Sequence, residues 1–365
     1  MRAFSLHPNV YATGNLDGLL RMLEQVWVRN HTPGQGTLYL MSGFGTYNGG
    51  VRFFQTFADH INQGGQVVSF FAGSTAQRLT SRQLVEELLK VGAEVNIVNR
   101  KRLLHAKCYG SSTNQGDQLI VTSGNFTGPG LSQNVEAALL IDDVATREMH
   151  FSWTSLVNSL RNQNWDRHVL TLANMNAPGW QLLYDEYARN IILDETEEVT
   201  LVVTLSHSDT ARIQATAGTN AGLGSQYFWL SKDSYGFFPP LTIRNQRGIK
   251  ATFSCDIRLH YMDKKETHGA RVTFEAENNL DFRLGTGPLR GTRTASQGDL
   301  AAISRTGEKE YELRLYKPGN PTFAQLLPYA VNHVGHQGKR YGYIDNDQFT
   351  RLTGVGLPSA PKGGF

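Results

Sequence analysis

Residues 66–99, QVVSFFAGSTAQRLTSRQLVEELLKVGAEVNIVN, decide the fold of the first half of the chain. QVVSFFAG (66–73) is a short apolar run closed by a glycine, which reads as a buried strand. SRQLVEELLKVG (81–92) opens on Ser81, a helix N-cap, and places Leu84, Leu88 and Leu89 on one face. It stops at Gly92. AEVNIVN (93–99) returns to an extended run. A strand, a helix and a strand in immediate succession predict a crossover unit of a parallel sheet.

The pattern continues on both sides. Upstream, TLYLMSGF (37–44) reads as a strand and VRFFQTFADHINQGG (51–65) as an amphipathic helix stopped by Gly64-Gly65. Downstream, LLHAKCYG (103–110), DQLIVTSGN (117–125) and NVEAALLID (134–142) are three strand candidates in a row, followed by a helix over 151–163. The first half is therefore expected to be α/β, a mixed sheet with flanking helices.

The second half reads differently. Short β-like runs at 200–207, 211–217, 225–231, 241–246, 250–262, 270–278, 281–287 and 311–317 are separated by Gly, Pro, Asn and Asp. One helix is expected, near FAQLLPYAV (323–331). Regular short strands predict an all-β barrel or sandwich. The expected organisation is a first domain over 1–165, an acidic linker over 166–195, a β domain over 196–358 and a disordered tail over 359–365.

The chain has 365 residues with a net charge of +3 and 40% hydrophobic residues, enough for true cores and for two domains. No run approaches the roughly 18 apolar residues of a membrane helix. The first residues lack the apolar stretch of a signal peptide. A cytoplasmic protein with no membrane partner is the expectation. Cys108 and Cys255 stand alone and predict neither a zinc site nor a disulfide framework. The net charge hides a partition: +1 over 1–160, −4 over 161–198 and +6 over 199–365. A basic β half behind an acidic connector suits a polyanionic partner.

Chemistry concentrates at His105-Ala106-Lys107, Ser123-Gly124-Asn125 and Glu136. On strands, residues two apart share a face. His105 with Lys107, and Ser123 with Asn125 on the next strand, would then converge on one tetrahedral anion. Lys supplies point charge, and Asn and Ser supply directional donors. His is the one member suited to nucleophilic attack or proton transfer near neutral pH. Glu136 could orient the imidazole. An isolated H-x-K has another reading, an exposed polar strand face, and it is the joint pattern that argues for a site.

These three elements resemble the H-x-K, S-x-N and E signature of the phospholipase D superfamily. One departure is Ser112, where the superfamily carries an Asp five residues after the Lys. A single copy of the motif is present. In the superfamily two copies build one active site, so the resemblance implies a homodimer sharing one site at its interface. The stretches FSLHPNVYATG (4–14), SGNFTGPG (123–130), FWLSKDSY (228–235) and FFPPLTIRN (237–245) extend the likeness. They resemble a family of metal-independent type IIS restriction endonucleases over nearly the whole chain, the tail excepted. That resemblance implies a phospholipase D-like nuclease domain and a DNA-recognition domain with the pseudobarrel fold of the plant B-three transcription factors. It implies double-stranded DNA as the partner, no cofactor and no metal. It further implies cleavage at a fixed offset from a short asymmetric site, through a covalent phosphohistidine on His105.

Basic residues interleave with aromatics and amides in the β half. Arg212, Lys232, Arg244, Arg247, Arg271, Lys339 and Arg340 are candidate DNA contacts, since Arg pairs bidentately with guanine and Lys anchors phosphate. Trp229 could pack on a sugar or base, or belong to the core. By resemblance, two recognition arms would hold Arg212 and Trp229 on one side and Arg247 and Arg271 on the other, with Lys339 and Arg340 adding a contact.

Competing sites are poor. Asp142-Asp143 and Glu308-Lys309-Glu310 lack the clustering of a metal centre. GFGTYNGG (43–50) lacks a nucleotide-loop spacing. The acidic connector could cover the catalytic cleft as a DNA mimic, or be a plain linker. A nonspecific phospholipase D-like nuclease, or a DNA-binding regulator without catalysis, are the alternative functions.

Overall fold

The nine strands of the first half form one sheet with the spatial order β2-β1-β8-β7-β6-β3-β4-β5-β9. They are β1 (Ala3–His7), β2 (Tyr11–Ala12), β3 (Thr37–Ser42), β4 (Gln66–Ala72), β5 (Glu94–Asn99), β6 (Cys108–Thr113), β7 (Gly116–Thr122), β8 (Glu136–Ile141) and β9 (Asp166–Val169). Only β3, β4 and β5 run parallel. The computed structural model describes residues 2–7, 10–100, 103–186, 198–216, 219, 223–247, 250–275, 281–334 and 338–358, with 246, 247, 250 and 281 by backbone alone. The chain divides into two units, Met1–Ala188 and Arg189–Phe365.

The helices of the first unit are α1 (Leu19–Glu24), α2 (Tyr47–Gly50), α3 (Phe54–Asn62), α4 (Arg82–Lys90), α5 (Gly128–Ser132), α6 (Asp143–Glu148) and α7 (Trp153–Arg161). A π-helical turn, Gln25–Arg29, continues α1. Ser81 caps α4 through its hydroxyl, which accepts from the Leu84 N–H, as the sequence predicts. Trp153 at the start of α7 is fully buried and stacks on Tyr39 of β3 at 4.8 Å. The helix thereby covers one face of the central strands.

Residues 166–186, read from composition as the start of the acidic stretch, are built into this unit. β9 pairs with β5, and Trp180, Leu182 and Leu183 are buried. The Tyr184 N–H bonds Thr80 O, and the Arg82 N–H bonds Tyr184 O. Glu186 is buried and accepts from the Tyr47 N–H at 2.7 Å. The remainder of the acidic stretch, 187–197, lies outside the described residues, as does the tail 359–365.

The second unit is a barrel-like sheet of ten strands. Its strands are β10 (Val199–Thr204), β11 (Tyr227–Leu230), β12 (Ile243–Arg247), β13 (Lys250–Tyr261), β14 (Glu266–Glu275), β15 (Asp281–Gly285), β16 (Leu300–Arg305), β17 (Glu310–Tyr316), β18 (Asn332–Val334) and β19 (Lys339–Asp345). Their order is β11-β15-β14-β13-β17-β16-β10-β19-β18, with β12 added on β13. The apolar core follows the period-2 pattern. On β14, Ala270, Val272 and Phe274 are buried while Arg271 is exposed.

Two sequence expectations change here. Of residues 211–217, read as a strand, 211–214 belong to a helix, α8 (His207–Gln214), and 217 lies outside the described residues. Its start is a capping box: the Ser206 hydroxyl and the Asp209 carboxylate satisfy each other's end of the first turn. The expected helix near 323–331 is α9 (Pro321–Leu326) with a following 3₁₀ turn, and a further helix, α10 (Asn346–Thr353), closes the unit. Among the described residues no helix is long and apolar enough to cross a membrane.

Candidate active site and nucleic-acid interface

All five candidate catalytic residues gather at one end of the first sheet. Because β6, β7 and β8 alternate in direction, the start of β6, the end of β7 and the start of β8 lie side by side. The same end holds the carboxyl ends of the parallel strands, the usual place for a site in such sheets. His105 and Lys107 do not lie in a strand, as the sequence suggested. They sit in the extended segment just before β6, and Ser123 to Asn125 lie just past β7. The two segments are tied to each other where the Thr122 N–H bonds Lys107 O at 3.2 Å.

His105 is exposed and Lys107 is 7% exposed. The Lys107 Nζ lies 2.9 Å from His105 Nδ1 and 3.0 Å from Nε2, and donates to the His105 carbonyl at 3.0 Å. Burial lowers the Lys107 ammonium pKa, and the nearby Glu136 charge partly offsets that. Among the described residues no carboxylate lies within ion-pair distance of Lys107. The Phe44 ring stands edge-on to His105 with centroids 6.0 Å apart.

Asn125 is fixed by its carbonyl side. Its Oδ1 accepts the Phe44 N–H at 3.1 Å, which leaves the amide Nδ2 to serve as a donor. The buried Ser42 hydroxyl donates to Phe44 O and accepts the Phe126 N–H at 2.9 Å. Phe126 itself is fully buried among Trp27, Phe53, Phe71 and Tyr109. An apolar anchor thus follows the polar turn directly and pins it. Gly124 has no room for a side chain: a Cβ there would stand 2.6 Å from Gly130 O and 2.8 Å from Leu19 Cδ2.

Glu136 does not meet His105 in the way the sequence suggested. Its Oε2 takes the Ser123 hydroxyl in a short hydrogen bond, and the Asn134 amide approaches Oε1 at 3.4 Å. The reason is topological. His105 and Glu136 enter the strands on either side of β7, about two strand spacings or ~10 Å apart, and Ser123 stands between them. Sequence reading also missed His7, which is opposite Glu136 in the β1–β8 register and bonds Asp17 at 2.9 Å. Ser42 and Phe44 were missed too. Their signal was the glycine-rich stretch that follows β3, set aside in the sequence because it lacks a nucleotide-loop spacing.

In the second unit Arg212 lies on α8 and donates from Nε to Leu223 O at 2.9 Å. Trp229 is half-buried on β11. Lys232 opens a 3₁₀ turn beside it. Arg244 is exposed on β12, its guanidinium 5.2 Å from the Phe253 ring, and Arg247 ends that strand. Arg271 is exposed and holds Asp256 with both ends of its guanidinium, at 2.9 and 3.2 Å. This pair pulls the Asp256 pKa down. Arg247 and Arg271 both face β13 but stand opposite Lys250 and Asp256. Six residues of strand, about 20 Å, separate those two positions. Arg340 is half-buried, with its N–H on the Thr204 hydroxyl at 2.7 Å.

Lys339 corrects the sequence reading. It is buried, its Nζ 2.6 Å from the equally buried Asp209 carboxylate, and is unavailable to a phosphate in this structure. A cation the sequence did not select replaces it in view. Arg283, opposite Trp229 on β15, places its guanidinium 5.1 Å from the Tyr227 ring and 6.0 Å from the Trp229 ring. Among the described residues no cluster of three or more His, Cys, Asp or Glu has the geometry to hold a metal.

Known proteins compare as follows. Salmonella typhimurium Nuc, a phospholipase D family member, is 13% identical with TM-score 0.30, covering 42% of this chain and 88% of its own. Helicobacter pylori NucT is 12% identical with TM-score 0.29, covering 39% and 84%. The UbaLAI restriction endonuclease B3 domain, solved with cognate DNA, is 9% identical with TM-score 0.24, covering 40% and 87%. No curated protein matches the chain. Residues 193–356, which span the barrel from before β10 to beyond α10, match a family model described as the metal-independent restriction enzyme BfiI DNA binding domain. Over those residues the second unit of this chain is similar to the DNA-binding domain of that metal-independent restriction enzyme.

Proposed function

We propose that the chain is a metal-independent type IIS restriction endonuclease acting as a homodimer. The observation that carries this reading is the convergence of His105, Lys107, Ser123, Asn125 and Glu136 on one open end of a sheet, in a chain whose second unit matches a DNA-binding domain. His105 attacks the scissile phosphorus through a ring nitrogen, the P–O3′ bond breaks, and a phosphohistidine forms. The leaving 3′ oxygen takes its proton from His105 of the partner subunit. That imidazole then accepts a proton from water, whose oxygen attacks phosphorus and breaks the P–N bond. The products are a 5′-phosphate and a 3′-hydroxyl. Lys107 and the Asn125 amide stabilise the phosphoryl oxygens. Ser123, locked to Glu136, completes the polar edge.

A second copy is supported by the sheet surface. Leu119 and Ile141, in register on β7 and β8, are buried in the core cluster that includes Trp153 of α7. Two residues nearer the site the cover ends. Phe4, Leu139 and Val121 form a row in register across β1, β8 and β7, and are 38%, 41% and 43% exposed. An apolar strip beside a site with one H-x-K histidine suits a symmetric contact that brings a second copy of it.

The test is cleavage of plasmid DNA in EDTA with the ends mapped. Discrete fragments with ends at a constant offset from a common sequence are expected. Smearing would favour the nonspecific nuclease, and cleavage surviving His105→Ala would overturn the chemistry.

A further inference from the structure

Among the described residues β11 is an end strand, paired with β15 on one side. At Trp229 both backbone polar groups are nevertheless held by one ion pair. The Trp229 N–H donates to Asp209 Oδ1 at 2.7 Å, and the Trp229 carbonyl accepts a short hydrogen bond from Lys339 Nζ. Lys339 opens β19, near the opposite end of the strand order. The pair therefore spans the gap between the two ends of the sheet and stands where a missing strand would supply ladder bonds. Asp209 is saturated: Oδ2 takes the Ser206 N–H, the Ser206 hydroxyl and Lys339, each at 2.6 Å. Asp209 also lies in the first turn of the helix that carries Arg212. A saturated, buried pair has no free valence for a phosphate, yet it fixes the strand of one candidate reader and the helix of the other.

We propose that Asp209 and Lys339 are positioning residues for DNA readout, which close the barrel and hold Trp229 and Arg212 in the geometry that discriminates between sequences. This rests on the reading of the second unit as a sequence-specific DNA binder. The pair acts on specificity and makes no contact to the backbone of DNA.

The experiment uses the full chain carrying His105→Ala, so that DNA stays intact. Two duplexes of equal length serve as probes: one recovered from a randomised pool by the parent protein, and one unrelated. Binding is measured against salt concentration. Lys339→Met is expected to lose at least tenfold on the selected duplex, with affinity for the unrelated duplex and its salt slope unchanged. A salt slope reduced by about one unit on both duplexes would mark Lys339 as a phosphate contact and overturn the proposal. So would unchanged affinity for the selected duplex. If Lys339→Met fails to fold, the double variant Asp209→Leu/Lys339→Met replaces the ion pair with apolar volume. It is expected to fold yet lose discrimination, and retained discrimination overturns the proposal. Arg212→Ala and Trp229→Ala are run alongside. If both leave discrimination intact, the assignment of these readers fails as well, whereas loss in them with none in the Lys339 variants sinks the positioning role alone.

Discussion

Lys107 and Lys339 are both buried lysines, 7% and 6% exposed, and burial lowers the pKa of each. Their surroundings differ. Lys339 has a carboxylate at 2.6 Å and a backbone carbonyl, and its charge is consumed within the fold. Lys107 rests on the ring and carbonyl of a neighbouring histidine, at an end of the sheet open to solvent. A cation desolvated without a direct counter-ion costs stability. Under the proposed function, such a cost is offset when the anionic phosphodiester binds. One lysine is a clamp and the other is a vacant half of an ion pair, and the sequence alone shows only two lysines.

The comparison is most severely tested at the first site. His105→Ala is expected to reduce cleavage by on the order of 10⁶-fold, while gel-shift affinity for DNA stays unchanged. Residual cleavage above a thousandth of the parent rate would contradict the assignment. Lys107→Met should come next, lowering the single-turnover rate by about 10²–10³-fold, with the melting temperature unchanged or raised. A fall in melting temperature with normal turnover would make Lys107 a second clamp and erase the contrast.

What was legible follows the range of the interactions. The helix over 82–90 and its neighbouring strands were readable because Ser81, the leucine spacing and Gly92 are local signals. The H-x-K and S-x-N pairs were readable as a set because a resemblance joined them. The segment after Ser206 was misread as a strand although the Ser206-x-x-Asp209 capping box was in plain view. Alternation of Arg212, Gln214 and apolar neighbours outweighed it. The burial of Lys339 was not legible at all, since its partner Asp209 lies 130 residues away and nothing in GHQGKRYG marks it. Glu136 was placed on the right edge but against the wrong side chain, because the intervening strand brings Ser123 to it first.

Smaller effects sharpen the same contrast between charges spent on the fold and charges kept for a ligand. Arg271→Ala breaks an exposed pair with Asp256, so the stability change should stay within about 1 kcal/mol. Affinity for the selected duplex should fall by about 1–3 kcal/mol, measured by titration. Unchanged affinity would assign this arginine to Asp256 alone.

The smallest effect expected is on stability in mild acid. The half-buried His31 pairs with the buried His60, with His31 Nε2 2.8 Å from His60 Nδ1, and the Gly34 N–H also donates to that Nδ1. Burial, with the neighbouring ring, lowers the His31 pKa to about 4, and burial lowers that of His60. The unfolded chain therefore binds protons first as the pH drops below 6.5, the ordinary value for histidine. Stability is fully present above that pH and lost toward about 4. Between pH 6.5 and 5 the melting temperature of the parent should fall more than that of His31→Gln, and parallel curves would refute the linkage.

The central claim is that a histidine carries the phosphoryl group between two displacements. A duplex with a phosphorothioate of defined chirality at the scissile position, cleaved in EDTA in ¹⁸O-labelled water so that the product phosphorus is a stereocentre, tests this directly. Two successive in-line steps predict overall retention of configuration at phosphorus in the product, and inversion would show that water attacks in a single step and that no phosphohistidine lies on the path.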